Sequence, residues 1–254
     1  MTTTDASPNA LPPLSERKVL ISGGSAGIGA ALARACGDAG AAVGVIGRNQ
    51  ERLDAVARDC GAVTACADIT VQAEASQAVT AIAGSLGGLD TLVNSAGTMF
   101  HSRISDGLAE DWQQMFGVNV LGLLHVTHAS LEHLRDAEFA DIVNISSIAA
   151  DQVSVPDFAV YSATKASVAR LTEGLQKELA KAGDIRVCSV KPGTVKTDGF
   201  GPGIRDSKLR EQVVAHKEAT GMPPSVIADQ IIQVVTLPRI AAITEVTIVP
   251  HGRS

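Results

Sequence analysis

Aromatic residues are scarce: they make up 3 % of the 254 residues, with one tryptophan, Trp112, and one tyrosine, Tyr161. A core without many rings must close on Ala, Val, Ile and Leu, which favours helices packed tightly on a sheet over a wide aromatic cavity. Cysteine is sparse too. Cys36, Cys60, Cys66 and Cys188 form no C-x-x-C pair and have no histidine at ligand spacing, which argues against a disulfide framework and a zinc site. They read as reduced, mostly buried thiols of a cytoplasmic protein, and no metal is expected. No apolar run has the length of a membrane span, so no membrane partner is expected. Residues 1–14 have neither the apolar stretch nor the early basic charge of a signal peptide and read as a disordered tail. Basic excess is also missing: the net charge is −6, which argues against a nucleic-acid partner.

What is present is an alternation of short β-rich runs with helical stretches, the pattern of a parallel sheet covered on both faces. Strands are expected at Lys18–Ser22, Ala42–Ile46, Val63–Ala67, Leu89–Asn94, Asp141–Ser146, Ile185–Val190 and Glu245–Val249. Helices are expected from about Ala30 to a Gly40 stop, at Gln50–Asp59, Ala73–Leu86, Leu108–Leu134, Ala159–Lys181 and Ser225–Thr236. The segment Pro192–Pro224 is rich in glycine and charge and reads as partly mobile. Without repeats or a linker, residues 15–254 read as a single α/β domain, a doubly wound seven-stranded parallel sheet.

Strand one runs into Ser22-Gly23-Gly24-Ser25-Ala26-Gly27-Ile28-Gly29 and then a helix. Glycines there let the backbone turn tightly and approach a pyrophosphate, and the helix start adds unpaired N–H groups and a positive dipole end. The second strand ends in Gly47-Arg48-Asn49, with no carboxylate before Glu51. An acid at that point would hold a ribose 2′-hydroxyl, whereas Arg48 suits a 2′-phosphate. The expected cofactor is therefore NADP(H) over NAD(H), with Ser25 and Asn49 as neutral donors beside Arg48.

Tyr161-Ser162-Ala163-Thr164-Lys165 places the only phenol four residues before an ammonium, on one helix face. A fixed cation favours the phenolate and would make the tyrosine a usable acid/base near neutral pH.

Taken together, the Gly-rich turn, Asn94-Ser95-Ala96-Gly97, Asn119, Ser146-Ser147, Tyr161/Lys165 and Pro192-Gly193 resemble the short-chain dehydrogenases/reductases in order and spacing, strongly over residues 17 to about 200. The resemblance implies a Rossmann fold and a catalytic set of Asn119, Ser147, Tyr161 and Lys165, with Ser146 an open alternative to Ser147. It implies Gly23, Gly27, Ile28 and Gly29 under the cofactor phosphates, and Asp68 with Ile69 at the adenine. It further implies Asn94, Ala96 and Gly97 along the cleft, Tyr161 and Lys165 at the nicotinamide ribose, and Pro192, Gly193, Val195 and Thr197 at the carboxamide. Asn119 would hold a water behind the lysine. The implied activity is reversible hydride transfer to a small carbonyl substrate by an alcohol-forming reductase, in a homotetramer or homodimer.

Two departures stand out: Ser22 opens the Gly motif in place of the usual Thr, and the C-terminal Pro250-His251-Gly252 lacks a Gly-Gly ending. A non-catalytic NADP sensor on the same fold is the alternative, but it has no need of the Ser/Tyr/Lys/Asn set. A sugar epimerase or dehydratase needs more chain after Pro192. A substrate lid is expected over 198–223, helped by Met99–His101 and Gln152–Phe158. Its Arg205, Lys208, Arg210 and Lys217 offer charge, while His101, His125, His128 and His216 read as surface or packing residues.

Overall fold

The computed structural model describes residues 13–153, 156–180, 185–197 and 203–252. The expected tail lies almost wholly outside them, as do residues 198–202 of the expected lid and the expected end of the Tyr161 helix at Lys181.

The chain opens with β1 (Lys18–Ser22), α1 (Gly27–Asp38), β2 (Ala42–Gly47), α2 (Gln50–Cys60), β3 (Val63–Cys66), α3 (Gln72–Leu86) and β4 (Thr91–Asn94). A longer helical stretch follows: α4 (Ala109–Phe116), a π-helical turn over Gly117–Gly122, and α5 (Leu123–Asp136). After β5 (Ala140–Ile145) come α6 (Ala159–Leu179), β6 (Ile185–Pro192), α7 (Ser207–Thr220), α8 (Pro224–Val235) and β7 (Glu245–Ile248). The strands form one parallel sheet in the order β3-β2-β1-β4-β5-β6-β7. Chain direction across the sheet reverses between β1 and β4. In an open α/β sheet a crevice forms at such a point, beyond the C-terminal strand ends.

Alternation along each strand divides the apolar side chains between two faces. Val19, Ile21, Val45, Val93, Val143 and Val190 meet α1, α2 and α8. Leu20, Ile46, Leu92, Ile142 and Val187 meet α3, α5 and α6. Burial on both faces explains the near-continuous hydrophobic runs of the central strands.

Polar groups at the opposite, N-terminal strand ends lock the sheet. Buried Arg17 pairs with Asp90 at 2.7 Å and Asp141 at 2.6 Å, and Asp141 also takes Arg186 at 2.8 Å. Paired this way, Arg17 is compatible with burial; a single truncation would strand a charge.

Several expected boundaries move. The stretch expected at Leu108–Leu134 is helical over nearly that span, but its ladder loosens at the π turn. A helix absent from the expectation, α7, occupies much of the Pro192–Pro224 segment. The cysteines are all free, yet only Cys36 and Cys188 are buried; Cys60 is half-buried and Cys66 exposed. Cys66 ends an edge strand whose other residues are only half-buried.

Candidate active site

A cleft of about 1170 Å³ opens at the reversal point, between the turn after β1, the ends of β2 to β6, and α7. Gly23, Ser25, Ala26, Gly27 and Ile28 form one wall. Gly23 has φ +69°, and a Cβ there would lie 2.5 Å from the Ala96 Cα, so only glycine allows β1 and β4 to diverge so closely. Helix α1 starts behind Ala26 with no side-chain cap. Its first-turn N–H groups are left for a ligand, in a cradle that suits an anionic phosphate.

At the far end of the cleft stand Arg48, Asn49, Arg52, Asp68 and Ile69. Arg48 is exposed, and Arg52 follows one helical turn later. Asn49 is committed to the fold: its side chain caps α2 by accepting from the Arg52 N–H at 2.9 Å. Burial alone would raise the Asp68 carboxyl. Hydrogen bonds from the Thr70 N–H and hydroxyl, with the Arg48 charge, outweigh it and hold the group below its ordinary value.

The opposite wall carries Ser147, Tyr161 and Lys165. Tyr161 and Lys165 project from the start of α6, and Ser147 follows β5 directly. The Ser147 hydroxyl hydrogen-bonds the phenol and accepts from the Ala149 N–H at 3.1 Å. Its neighbour Ser146 is buried and donates to the Lys165 carbonyl oxygen at 2.9 Å. Lys165 donates from Nζ to the Ile145 carbonyl oxygen at 2.8 Å, and the ammonium lies 6.0 Å from the Tyr161 ring centroid.

The protonation states differ from the expectation drawn from the Tyr–Lys spacing. Burial pushes the phenol up to about 12, and the Ser147 hydrogen bond offsets only part of it. Burial pushes Lys165 down to about 8. The ammonium is aimed at a backbone carbonyl, so desolvation outweighs any acidifying effect on the phenol.

Ala96 and Gly97 line the cleft floor, with Pro192, Gly193, Val195 and Thr197 along its rim. The Val195 carbonyl accepts from the Thr197 N–H at 2.9 Å, and the Thr197 side chain stands against Gly27. Three expected residues sit behind the wall instead. Gly29 serves backbone packing: a Cβ there would lie 2.5 Å from the Gly23 carbonyl oxygen. Asn94 is buried in the sheet, donating to Thr127 and Asn144, each at 2.9 Å. Asn119 is buried in the π turn, where its amide donates to Thr98 O and Thr164 Oγ1 at 2.9 Å and accepts from Thr98 N at 2.8 Å. With both amide protons used, that side chain holds the Thr98 loop.

Helix α7 forms the remaining side. Leu209, Gln212, Val213, His216 and Lys217 face the cleft at helical spacing. Lys217 is buried and donates to the Thr197 carbonyl oxygen at 2.9 Å. Arg205 is paired with Asp111, and Arg210 donates to the Ile204 carbonyl oxygen at 2.8 Å. These lid cations are thus engaged by the protein itself. His101 and His216, expected at the surface or in packing, both line the cleft, as does Arg52. Arg52 was discoverable as a second arginine four residues beyond Arg48, in the first turn of α2; nothing in the local sequence marks the histidines.

A family model described as short chain dehydrogenase matches residues 17–206. An uncharacterized oxidoreductase of Staphylococcus epidermidis is 35 % identical over 240 residues, covering 92 % of this chain and 97 % of its own. Among solved structures, a short chain dehydrogenase from Burkholderia cenocepacia in complex with NADP is 29 % identical, with TM-score 0.82 over 93 % of this chain and 98 % of that one. A closed form of serine dehydrogenase complexed with NADP+ is 27 % identical, with TM-score 0.84 over 93 % and 96 %. The chain belongs to the short-chain dehydrogenase/reductase family and is an oxidoreductase. Among its described residues no helix is long and apolar enough to cross a membrane.

Proposed function

We propose that this protein reduces a ketone or aldehyde to an alcohol with NADPH, reversibly, and that Ser147, Tyr161 and Lys165 do the protein's part of the chemistry. The observation that carries this reading is their presence in the same cleft as an uncapped, glycine-framed helix start. The Gly23–Ile28 wall would take the pyrophosphate, and Arg48 with Arg52 the 2′-phosphate. The NADP-bound relatives support the same choice. When bound, NADPH supplies the hydride.

The Ser147 hydroxyl orients the carbonyl oxygen, and Tyr161 donates a proton to it as negative charge develops there. A phenol held near 12 is fully protonated at neutral pH, the form a general acid needs. Lys165 holds the nicotinamide ribose and passes a replacement proton toward the phenolate. Asn119 acts by position: it fixes the Thr98 loop, and any water behind Lys165 would be held by backbone carbonyls of the loosened π turn. The long faces of α4 to α6 are proposed to assemble the chain into a dimer or tetramer, and the cytoplasm is its proposed location.

The test is a panel of ketones, aldehydes and alcohols with NADPH or NADP+, read by absorbance of the reduced nicotinamide. Carbonyl-dependent NADPH oxidation supports the reading. Binding of NADPH without turnover of any panel member contradicts it and favours the sensor alternative.

A further inference from the structure

His101 has no part in the mechanism above, yet it is one of the most constrained side chains in the cleft. Its side chain is only 8 % exposed. The ring stacks edge-on against Phe158 with centroids 4.3 Å apart, and Phe158 in turn meets Tyr161 at 6.4 Å. On one side, Nδ1 faces Asp157 Oδ2 at 3.5 Å. On the other, Nε2 is buried and has no hydrogen-bond partner among the described residues.

Charge fixes the polarity of that free nitrogen. Arg103 donates to Asp157 Oδ1 at 2.6 Å, and this bond first, with His101 contributing, holds the carboxyl below its ordinary value. An ionised carboxylate only accepts, so Nδ1 must be the donor. Burial of the imidazole keeps it below its ordinary value despite Asp157, so the neutral ring dominates at neutral pH. A neutral imidazole protonated on Nδ1 presents a lone pair on Nε2. A buried acceptor with nothing to accept from is costly unless a ligand supplies the proton.

We infer that His101 Nε2 accepts a hydrogen bond from the substrate, and that the preferred substrate is a hydroxylated carbonyl compound with its hydroxyl on the far side of Phe158 from Tyr161. A hydroxyl fits better than an ammonium because Lys165, Arg103 and Lys217 all line the cleft, while its acids Asp68 and Asp157 are already bonded. The inference rests on the reductase reading and adds the substrate class to it.

The experiment compares NADPH-dependent reduction of ketones bearing a hydroxyl on the α, β or γ carbon with the alkyl ketones of equal length. Wild-type enzyme, His101→Leu and His101→Gln are assayed. At least one hydroxyketone should be preferred by wild type in kcat/KM by about ten- to a hundredfold, the range of one buried hydrogen bond. His101→Leu should erase that preference while leaving the alkyl ketone unchanged or improved, and His101→Gln, which keeps an acceptor, should restore part of it. An aminoketone arm should show no matching gain. Equal losses on both substrate types in His101→Leu would mean a packing role and overturn the inference, as would a wild type that turns over alkyl and hydroxylated ketones alike. Absence of any carbonyl turnover would instead count against the reductase reading beneath it.

Discussion

Lys165 donates its ammonium to the Ile145 carbonyl oxygen at 2.8 Å and stands 6.0 Å from the centroid of the Tyr161 ring. The lysine is thus anchored to the end of β5 and lies over the ring of the phenol. Both groups are desolvated, and their proton affinities move apart, the phenol up to about 12 and the ammonium down to about 8.

A pH profile follows. Lys165 is charged below about 8 and loses its charge above it, so kcat/KM for carbonyl reduction should fall on the alkaline side near that value. Lys165→Arg keeps a permanent charge, so it should abolish this alkaline limb even if the absolute rate drops. A limb that stays in place in Lys165→Arg assigns the titration elsewhere.

Cofactor choice is predicted to depend on Arg48 and Arg52. Because Arg48 is exposed, its replacement by Ala should raise KM for NADPH by about tenfold, the low end for a charge-assisted hydrogen bond, with NADH little changed. The double replacement with Arg52→Ala should go further. A carboxylate to reverse the preference belongs at Arg48→Asp and not at Gly47, where a Cβ would lie 2.7 Å from Ser25 Oγ. Equal loss for both cofactors, or a wild type that prefers NADH, contradicts the NADP assignment.

Asn119→Leu is predicted to act through stability. It strands the Thr98 N–H and carbonyl, at roughly 1–3 kcal/mol for each group left unsatisfied, while the Thr164 hydroxyl keeps its bond to the Tyr161 carbonyl oxygen. At ~2–4 °C per kcal/mol for a chain of this size, thermal unfolding should fall by several degrees. Lost turnover with an unchanged unfolding temperature would assign Asn119 a direct chemical role instead.

Most of the sheet was legible because buried parallel strands leave near-continuous apolar runs: β1 falls on its expected span and β2 within a residue of it. Strand β4 starts at Thr91 and not Leu89, because the Asp90 side chain accepts from the Lys18 N–H and caps the N-terminal end of β1. Helix α7 escaped because its inward residues, Leu209, Gln212, Val213, His216 and Lys217, cover a cleft and not a core. Their mixed polarity erases the apolar stripe that marks a helix. The π turn was invisible because it keeps the helical periodicity on either side. The cleft residues carried by glycines and by the Tyr–Lys pair were legible from spacing, whereas His101 and His216 reach the cleft only through tertiary packing.

Assembly is predicted from the surface of α4, the π turn and the segment before them. Leu108, Phe116 and Leu121 are 47 %, 40 % and 50 % exposed. Light scattering at micromolar concentration should give a dimer or tetramer, and Leu121→Asp should shift it toward monomer. A monomeric wild type at that concentration contradicts the proposal.

The most direct test of the account is turnover by Tyr161→Phe, which keeps the ring contact with Phe158 and removes only the hydroxyl. With NADPH and any accepted carbonyl substrate, kcat should fall by roughly 10²–10⁴, the contribution of a positioned acid, while the NADPH dissociation constant and unfolding temperature stay close to wild type. Turnover within about tenfold of wild type would show that another group protonates the carbonyl oxygen, and the assignment of Tyr161 would be wrong.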